Sequence, residues 1–276
     1  MVSYDPIYSK IETNRTLMLL RFSSLDHPDL VHAITTRDGG VSAPPYATLN
    51  MSWARPDDPA AVAENRRRVY AALEIDAARV AQAGQIHSNG VMVVEQAHAG
   101  RGSMERASVL PPADALITDQ PDLYLLACFA DCTPLLFFDP VRRAVGVAHA
   151  GWQGTVKQIG AATVQAMADA FGSRPADLRV VIGPSAGPCC YNVWPHVAAE
   201  IRAAFPDHPQ VLQPRGDQTH FDLWSANRAT LIESGVPREQ IELSGICTID
   251  QADRFFSHRA TDGQTGRFAA IIGLRS

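Results

Sequence analysis

Three side chains have the types that a catalytic metal would need, each inside a short stretch of unusual composition. His87 sits in Gly84-Gln85-Ile86-His87-Ser88, Cys132 in Ala130-Asp131-Cys132-Thr133-Pro134, and His149 in Ala148-His149-Ala150-Gly151-Trp152. Two imidazoles and one thiolate make a catalytic zinc set, because three protein ligands leave the fourth tetrahedral position for water or substrate. The same donors could hold one copper ion. Taken singly, each residue has a plainer reading. His87 and His149 could be hydrogen-bonded structural histidines, and Cys132 a small buried hydrophobe. Asp131 weakens the plain reading of its neighbour, since an apolar strand has little reason to place a carboxylate there without a partner or a site. The three donors are far apart in sequence, so only a folded sheet brings them together.

The surrounding pattern supplies such sheets. Residues 17–22 and Leu30–Thr35 read as strands, followed by a Gly/Pro-rich loop from Arg37 to Pro45. Asp57-Asp58-Pro59 opens a helix to Leu73, with proline in its first turn. Strands at 79–83 and 91–95 flank His87. Leu123–Phe129 and residues 135–139 and 144–148 are near-continuous apolar runs of strand length, as expected where both faces are buried. Residues 155–171 carry one amphipathic stripe, read as a helix that stops at Gly172. Strands at 178–182, 241–244 and Phe268–Leu274, and helices over 193–205 and 222–234, complete the pattern. Strands and helices alternate without a linker or a shift in composition. The expected fold is therefore one α/β domain over residues 1–276, with mixed β-sheets flanked by helices and about 15 peripheral residues at the N-terminus.

Composition narrows the function classes. A net charge of −5, and no basic run interleaved with aromatics, argue against nucleic acid. The first 20 residues lack a signal-peptide pattern, and Asp131, Thr133 and Pro134 interrupt the longest apolar stretch, so no membrane partner is expected. A cytoplasmic enzyme, monomeric or weakly homo-oligomeric, is the expectation. Five cysteines, two of them adjacent, read as reduced thiols, and no CxxC pair points to a zinc ribbon. Cys189, Cys190 and Cys247 read as packing residues, and His27, His98, His196, His208 and His220 as surface residues.

The motifs together resemble the YfiH family, the laccase-domain proteins also described as multifunctional purine nucleoside phosphorylases. The resemblance runs from about Thr35 to Leu274. It is carried by Thr35-Thr36-Arg37-Asp38-Gly39-Gly40-Val41-Ser42, Leu49-Asn50, Glu64-Asn65-Arg66, Gln85-Ile86-His87 and Asp114-Ala115-Leu116. It continues through Ala130-Asp131-Cys132, His149-Ala150-Gly151-Trp152-Gln153-Gly154-Thr155, Gly183-Pro184, Cys190-Tyr191 and Cys247-Thr248. Phe256-Ser257-His258-Arg259 and Thr265-Gly266-Arg267 complete it. The resemblance implies that His87, Cys132 and His149 bind a catalytic zinc. It also implies a layered αββα fold similar to that of cysteine-hydrolase deamidases. Two positions depart from the family pattern, Asn192 where glutamate is usual and Gln153 where arginine is usual; each removes a charge near the expected cleft.

Four residues are candidates for catalysis. They are Cys132, Asp131 as acid or base, Arg37 with Gly39-Gly40 as an anion site or a polar turn, and Arg259 as a charge released into a cleft. Trp152 could stack a base or serve the core. Nucleoside and phosphate are the partners implied, with purine nucleoside phosphorolysis, adenosine deamination and methylthioadenosine phosphorolysis as the activities. The alternative is a metal-free Cys–His hydrolase that edits cell-wall precursors. Copper-dependent polyphenol oxidation is third, because a multicopper oxidase recruits about ten histidines, many in His-x-His pairs. This chain has nine histidines and no such pair.

Overall fold

The computed structural model describes residues 17–276, so the expectation for the N-terminal segment lies outside the described residues. In chain order, the first strands are β1 (Leu19–Leu20), β2 (Leu30–Thr35), β3 (Val80–Gln82), β4 (Val91–Val93) and β5 (Ala115–Thr118). The central ones are β6 (Leu123–Phe129), β7 (Thr133–Asp139), β8 (Ala144–Ala150) and β9 (Arg179–Ile182). The last are β10 (Asn192–Val193), β11 (Leu212–Arg215), β12 (Gln218–Phe221), β13 (Ile241–Leu243) and β14 (Phe268–Leu274). The helices are α1 (Pro59–Leu73), α2 (Trp152–Val156), α3 (Ile159–Phe171), α4 (Pro195–Ala204) and α5 (Leu223–Glu233).

A five-stranded sheet runs β1-β2-β14-β6-β3 and a six-stranded sheet runs β13-β9-β7-β8-β5-β4. Both mix parallel and antiparallel pairs. Strand periodicity explains the layering. Leu123, Leu125, Ala127 and Phe129 of β6 share one apolar cluster with Leu136 and Phe138 of β7 and Val145 and Val147 of β8, which glues the sheets face to face. The alternate residues Tyr124, Leu126 and Cys128 pack on Val69, Tyr70 and Leu73 of α1. On the other outer face, Leu135, Phe137 and Ala148 meet Ile159, Val164 and Met167 of α3 and Leu231 of α5. The result is an αββα sandwich. A small third sheet, β10-β12-β11, packs with α4 beside it.

Two connections cross from the five-stranded sheet to the six-stranded one. The chain leaves the five-stranded sheet after β3 and enters the six-stranded sheet at β4, and it does so again between β6 and β7. His87 lies on the first crossover, and Asp131 and Cys132 on the second. His149 is next to last in β8, paired with Pro134 of β7. Thus two crossovers and one strand end deliver the three donors to the same edge of the sandwich.

Three expectations change. The helix over 155–171 is two helices, because Gln158 takes a left-handed conformation (φ 59°) and restarts the chain direction before α3. Gly154 and Gly160 weaken helix continuity there, although the apolar stripe runs on. Residues 17–22 yield only the two-residue β1. His220 is buried rather than on the surface, since β12 turns it inward, where its Nδ1–H donates to the Pro188 carbonyl at 2.9 Å.

His32 of β2 carries a pH prediction. Its Nε2 accepts the Phe22 N–H at 2.9 Å, and burial, with Arg21 nearby, holds it neutral down to about 3. An unfolded histidine titrates near 6.5, so below that value the unfolded chain binds the extra proton and native stability falls until about pH 3. The expected loss between pH 7 and pH 5 is about 2 kcal/mol from this group. Urea midpoints of the wild type and His32→Gln across that window check it; an equal slope in both would contradict the assignment.

Candidate functional site

Cys132 Sγ and one ring nitrogen each of His87 and His149 all lie within 4.8 Å of one another. The two imidazoles are 4.8 Å apart between centroids, tilted by 53°. Local backbone shape delivers them. His87 (φ 60°) and Asp131 (φ 78°) both adopt the left-handed region, which non-glycine residues enter at a cost when the surroundings hold them there.

Asp114, one residue before β5, is the holder. Its carboxylate accepts the backbone N–H groups of Ile86 (3.2 Å), His87 (3.0 Å) and Ser88 (2.6 Å), and the Ser88 hydroxyl at 2.8 Å. It also meets His149 Nδ1 at 2.9 Å. One buried carboxylate therefore shapes the turn bearing His87 and orients the ring of His149, leaving Nε2 of that ring to face Cys132. Burial opposes its ionisation, but the bonds from His149 and Ser88 hold its carboxyl well below the usual carboxylate range. Burial also opposes charge on Cys132, yet His149 and His87 bring its thiol down to about 6. His149, despite burial, is pushed up to about 9 by the Cys132 sulfur and Asp114. The site favours a thiolate, the form of cysteine that both ligates metals and acts as a nucleophile.

The residues fit a metal ion on two grounds. Their donor set is two imidazoles and a thiolate, with the hydrogen-bonded carboxylate that metal-binding histidines commonly require. Gly151 also leaves room: a Cβ there would lie 2.8 Å from Cys132 Sγ and 3.1 Å from His87 Nδ1.

The donors open into a cleft of about 460 Å³ that also exposes Trp152, Tyr191, Arg55, His258, Arg259 and Arg267. Arg259 lies over the Tyr191 ring at 5.1 Å and donates to the backbone carbonyl of Asn192 at 2.9 Å and to its side chain. At position 192, where the family pattern usually has glutamate, the neutral amide of Asn192 meets this arginine. Asp131 accepts Thr248 Oγ1 at 2.7 Å on one oxygen and the Arg259 N–H at 2.6 Å on the other. Trp152 both lines the cleft and packs on the α4 cluster, so its two sequence readings coexist.

Arg37 is a correction. Its guanidinium donates to the Ala47 carbonyl at 3.2 and 2.9 Å and to the Ala252 carbonyl, and it lies 5.0 Å over the Phe256 ring, outside the cleft. Gly40 beside it is likewise committed. Gly40 N–H donates to Thr48 Oγ1, and a Cβ at Gly40 would fall 2.1 Å from the Thr48 carbonyl oxygen. That motif builds a packed turn, not an anion site.

Sequence reasoning gave no role to Asp114, Arg55 or Arg267. Asp114 had a faint signal, a carboxylate at the start of an apolar strand. Arg267 stood only within the motif Thr265-Gly266-Arg267 and Arg55 in none, since only the fold brings the segment before α1 and the segment before β14 to the same cleft.

Comparison with known proteins agrees with this architecture. The family model described as multi-copper polyphenol oxidoreductase laccase matches residues 31–275. A Bacillus subtilis (strain 168) protein named purine nucleoside phosphorylase YlmD is 38% identical over 279 residues, covering 100% of this chain and 99% of its own. A Deinococcus radiodurans protein named purine nucleoside phosphorylase is 45% identical over 258 residues, covering 94% of this chain and 93% of its own. The solved structure of YlmD from Geobacillus stearothermophilus superposes with a TM-score of 0.92 at 35% identity, over 99% of this chain and 100% of that one. The Bacillus licheniformis YfiH structure gives 0.89 at 36% identity, over 95% and 97%. With the match spanning nearly the whole sandwich, the chain belongs to the laccase-like YfiH family.

Proposed function

We propose that this protein is a zinc-dependent purine nucleoside phosphorylase, with His87, Cys132 and His149 as the metal ligands. The observation that carries the reading is the pairing of a three-donor metal set with a cationic, aromatic-walled cleft. A phosphate dianion needs fixed positive charge and N–H donors, which Arg55, Arg259 and Arg267 offer in the cleft. A purine needs a flat apolar contact, which Tyr191 and Trp152 offer. The names of the relatives from Bacillus and Deinococcus support the same class of substrate.

When bound, the ion supplies a Lewis acid at the inner end of the cleft. The chain's own residues do the rest. The arginines hold phosphate so that one of its oxygens bonds to C1′ as the N-glycosidic bond breaks, and the departing purine carries away the phosphate's proton. Positive charge develops on the ribose in such a reaction. Asp131, with lone pairs to spare beyond its two hydrogen bonds, is the carboxylate placed to offset it. Asp114 keeps His149 in the ligating tautomer. Deamination of adenosine and phosphorolysis of methylthioadenosine are finer activities of the same cleft.

A specific geometry favours a second reading. Cys132, His149 and Asp114 form a chain in which a thiol meets an imidazole and the imidazole meets a carboxylate at 2.9 Å, the arrangement of a cysteine hydrolase. Activity on an amide-bearing cell-wall precursor that survives chelation but ends with iodoacetamide would favour it.

The deciding experiment is a panel of adenosine, inosine, guanosine and methylthioadenosine, assayed with and without phosphate. Free base together with pentose 1-phosphate, formed only when phosphate is present, is expected. Ammonia release without phosphate would make deamination the main activity, and no turnover of any nucleoside would overturn the reading.

A further inference from the structure

A second group of soft donors lies outside the three-donor site. Cys189 and Cys190 belong to a tight turn in which the Cys190 and Tyr191 N–H groups both donate to the Gly187 carbonyl, at 3.1 and 3.0 Å. Cys247 and Asp250 belong to a second turn, closed by the Gln251 N–H on the Cys247 carbonyl at 3.0 Å. The two turns face each other across a single parallel bridge between Ser185 and Cys247. The three sulfurs and a carboxylate oxygen of Asp250 all lie within 4.8 Å of one another. The thiols of the two adjacent cysteines reach separate oxygens of that carboxylate, Cys189 to Oδ2 at 3.0 Å and Cys190 to Oδ1 at 2.8 Å.

We infer that Cys189, Cys190, Cys247 and Asp250 form a second metal site, closed and structural, for a thiophilic divalent cation such as zinc. Four protein donors complete a tetrahedral set and leave no open position, which separates this site in kind from the His87–Cys132–His149 site. Three sulfurs select zinc over magnesium or calcium. The Gly187 N–H points at Cys247 Sγ at 3.3 Å, the type of backbone bond that steadies a ligating thiolate. Gly187 is also the residue that lets the turns approach, since a Cβ there would lie 3.1 Å from the Cys247 Cβ and 2.8 Å from the Trp224 ring.

The clamp has a consequence for the cleft. Tyr191 follows Cys190 directly, and Thr248, which follows Cys247, holds Asp131 at 2.7 Å. An ion at the four donors ties together the two turns that carry these residues, and so fixes one wall of the cleft without touching substrate.

The test uses full-length protein equilibrated with zinc and then freed of unbound metal by gel filtration. Two zinc per chain are expected in the wild type, one in Cys132→Ala, and one in Cys189→Ser/Cys190→Ser. Because the double variant could lose its fold, cobalt reconstitution of Cys132→Ala provides an independent readout: strong thiolate-to-cobalt charge-transfer bands are expected although the cleft thiol is gone. Cobalt-loaded Cys132→Ala without those bands would overturn the inference. So would a mass two hydrogens short of the fully reduced chain in freshly purified Cys132→Ala, with peptide mapping placing the disulfide between two of these three cysteines rather than at Cys128. Neither outcome bears on the metal of the cleft, which is read separately by the zinc lost on Cys132→Ala.

Discussion

Cys132→Ala is expected to lose the cleft metal and nucleoside phosphorolysis together, while keeping its fold. Removing the sulfur takes away the one anionic ligand of three, and the two remaining imidazoles cannot hold zinc against dilution. The structural cost is small, because Cys132 is only half-buried and its side chain faces the cleft beside Gly151. Deleting so small a side chain from such a position costs about 1 kcal/mol or less. The expected signature is therefore an unchanged circular dichroism spectrum and near-normal melting of the metal-free protein, with turnover at background. Phosphorolysis at the wild-type rate by this variant would contradict the metal's catalytic role.

Asp114→Asn is expected to damage both the site and the fold. The carboxylate takes three backbone N–H groups, a hydroxyl and an imidazole N–H, and its side chain is fully buried. An amide of the same shape presents an NH₂ to some of these donors and leaves them unsatisfied. Breaking a buried charged partnership of this kind costs about 3–5 kcal/mol. Zinc affinity should fall roughly 10–100-fold, as when other metal-binding histidines lose their carboxylate partner. Urea unfolding and a competitive zinc titration measure the two effects. A variant with wild-type stability and a merely slower turnover would mean that Asp114 does not build the His87 turn.

The contrast between these residues shows what the sequence could reveal. His87, Cys132 and His149 stand out in the sequence because each sits in a distinctive short motif next to a strand; singly each also fits a structural role, and it is the fold that brings their donor atoms within 4.8 Å of one another. Continuous apolar runs such as Leu123–Phe129 and Phe268–Leu274 are legible at their true bounds, since an apolar run of seven residues is strand length and too short for a buried helix. Asp114 was not legible as a site residue, because its role is defined by amides of residues 86–88 and by a ring in β8, all brought to it by the fold. Arg37 misled for the converse reason. Arginine beside two glycines looks like an anion site locally, but Thr48, Ala47 and Ala252 take up its donors and those of Gly40 in three dimensions. The break at Lys157-Gln158 was hidden by an apolar stripe that continues through it. Its use is structural: Lys157, released from the helix, donates to the His87 carbonyl at 2.9 Å.

From the sequence, Cys189, Cys190 and Cys247 read as packing residues, whereas in the fold Cys189 is exposed and Cys190 half-buried. Composition could not pair them with Asp250, since the carboxylate comes from the same turn as Cys247 and meets the other two only across the bridge at Ser185. Adjacent cysteines are poor disulfide partners, and the turn directs both to one carboxylate instead.

The most direct measurement of the central claim is ribose 1-phosphate formation from inosine and phosphate by one preparation, first stripped of metal and then reloaded with zinc. The stripped protein should form no product, and zinc should restore turnover in the wild type but not in Cys132→Ala. Undiminished product formation by protein shown to contain no metal would contradict the assignment of His87, Cys132 and His149 as the ligands of a catalytic ion.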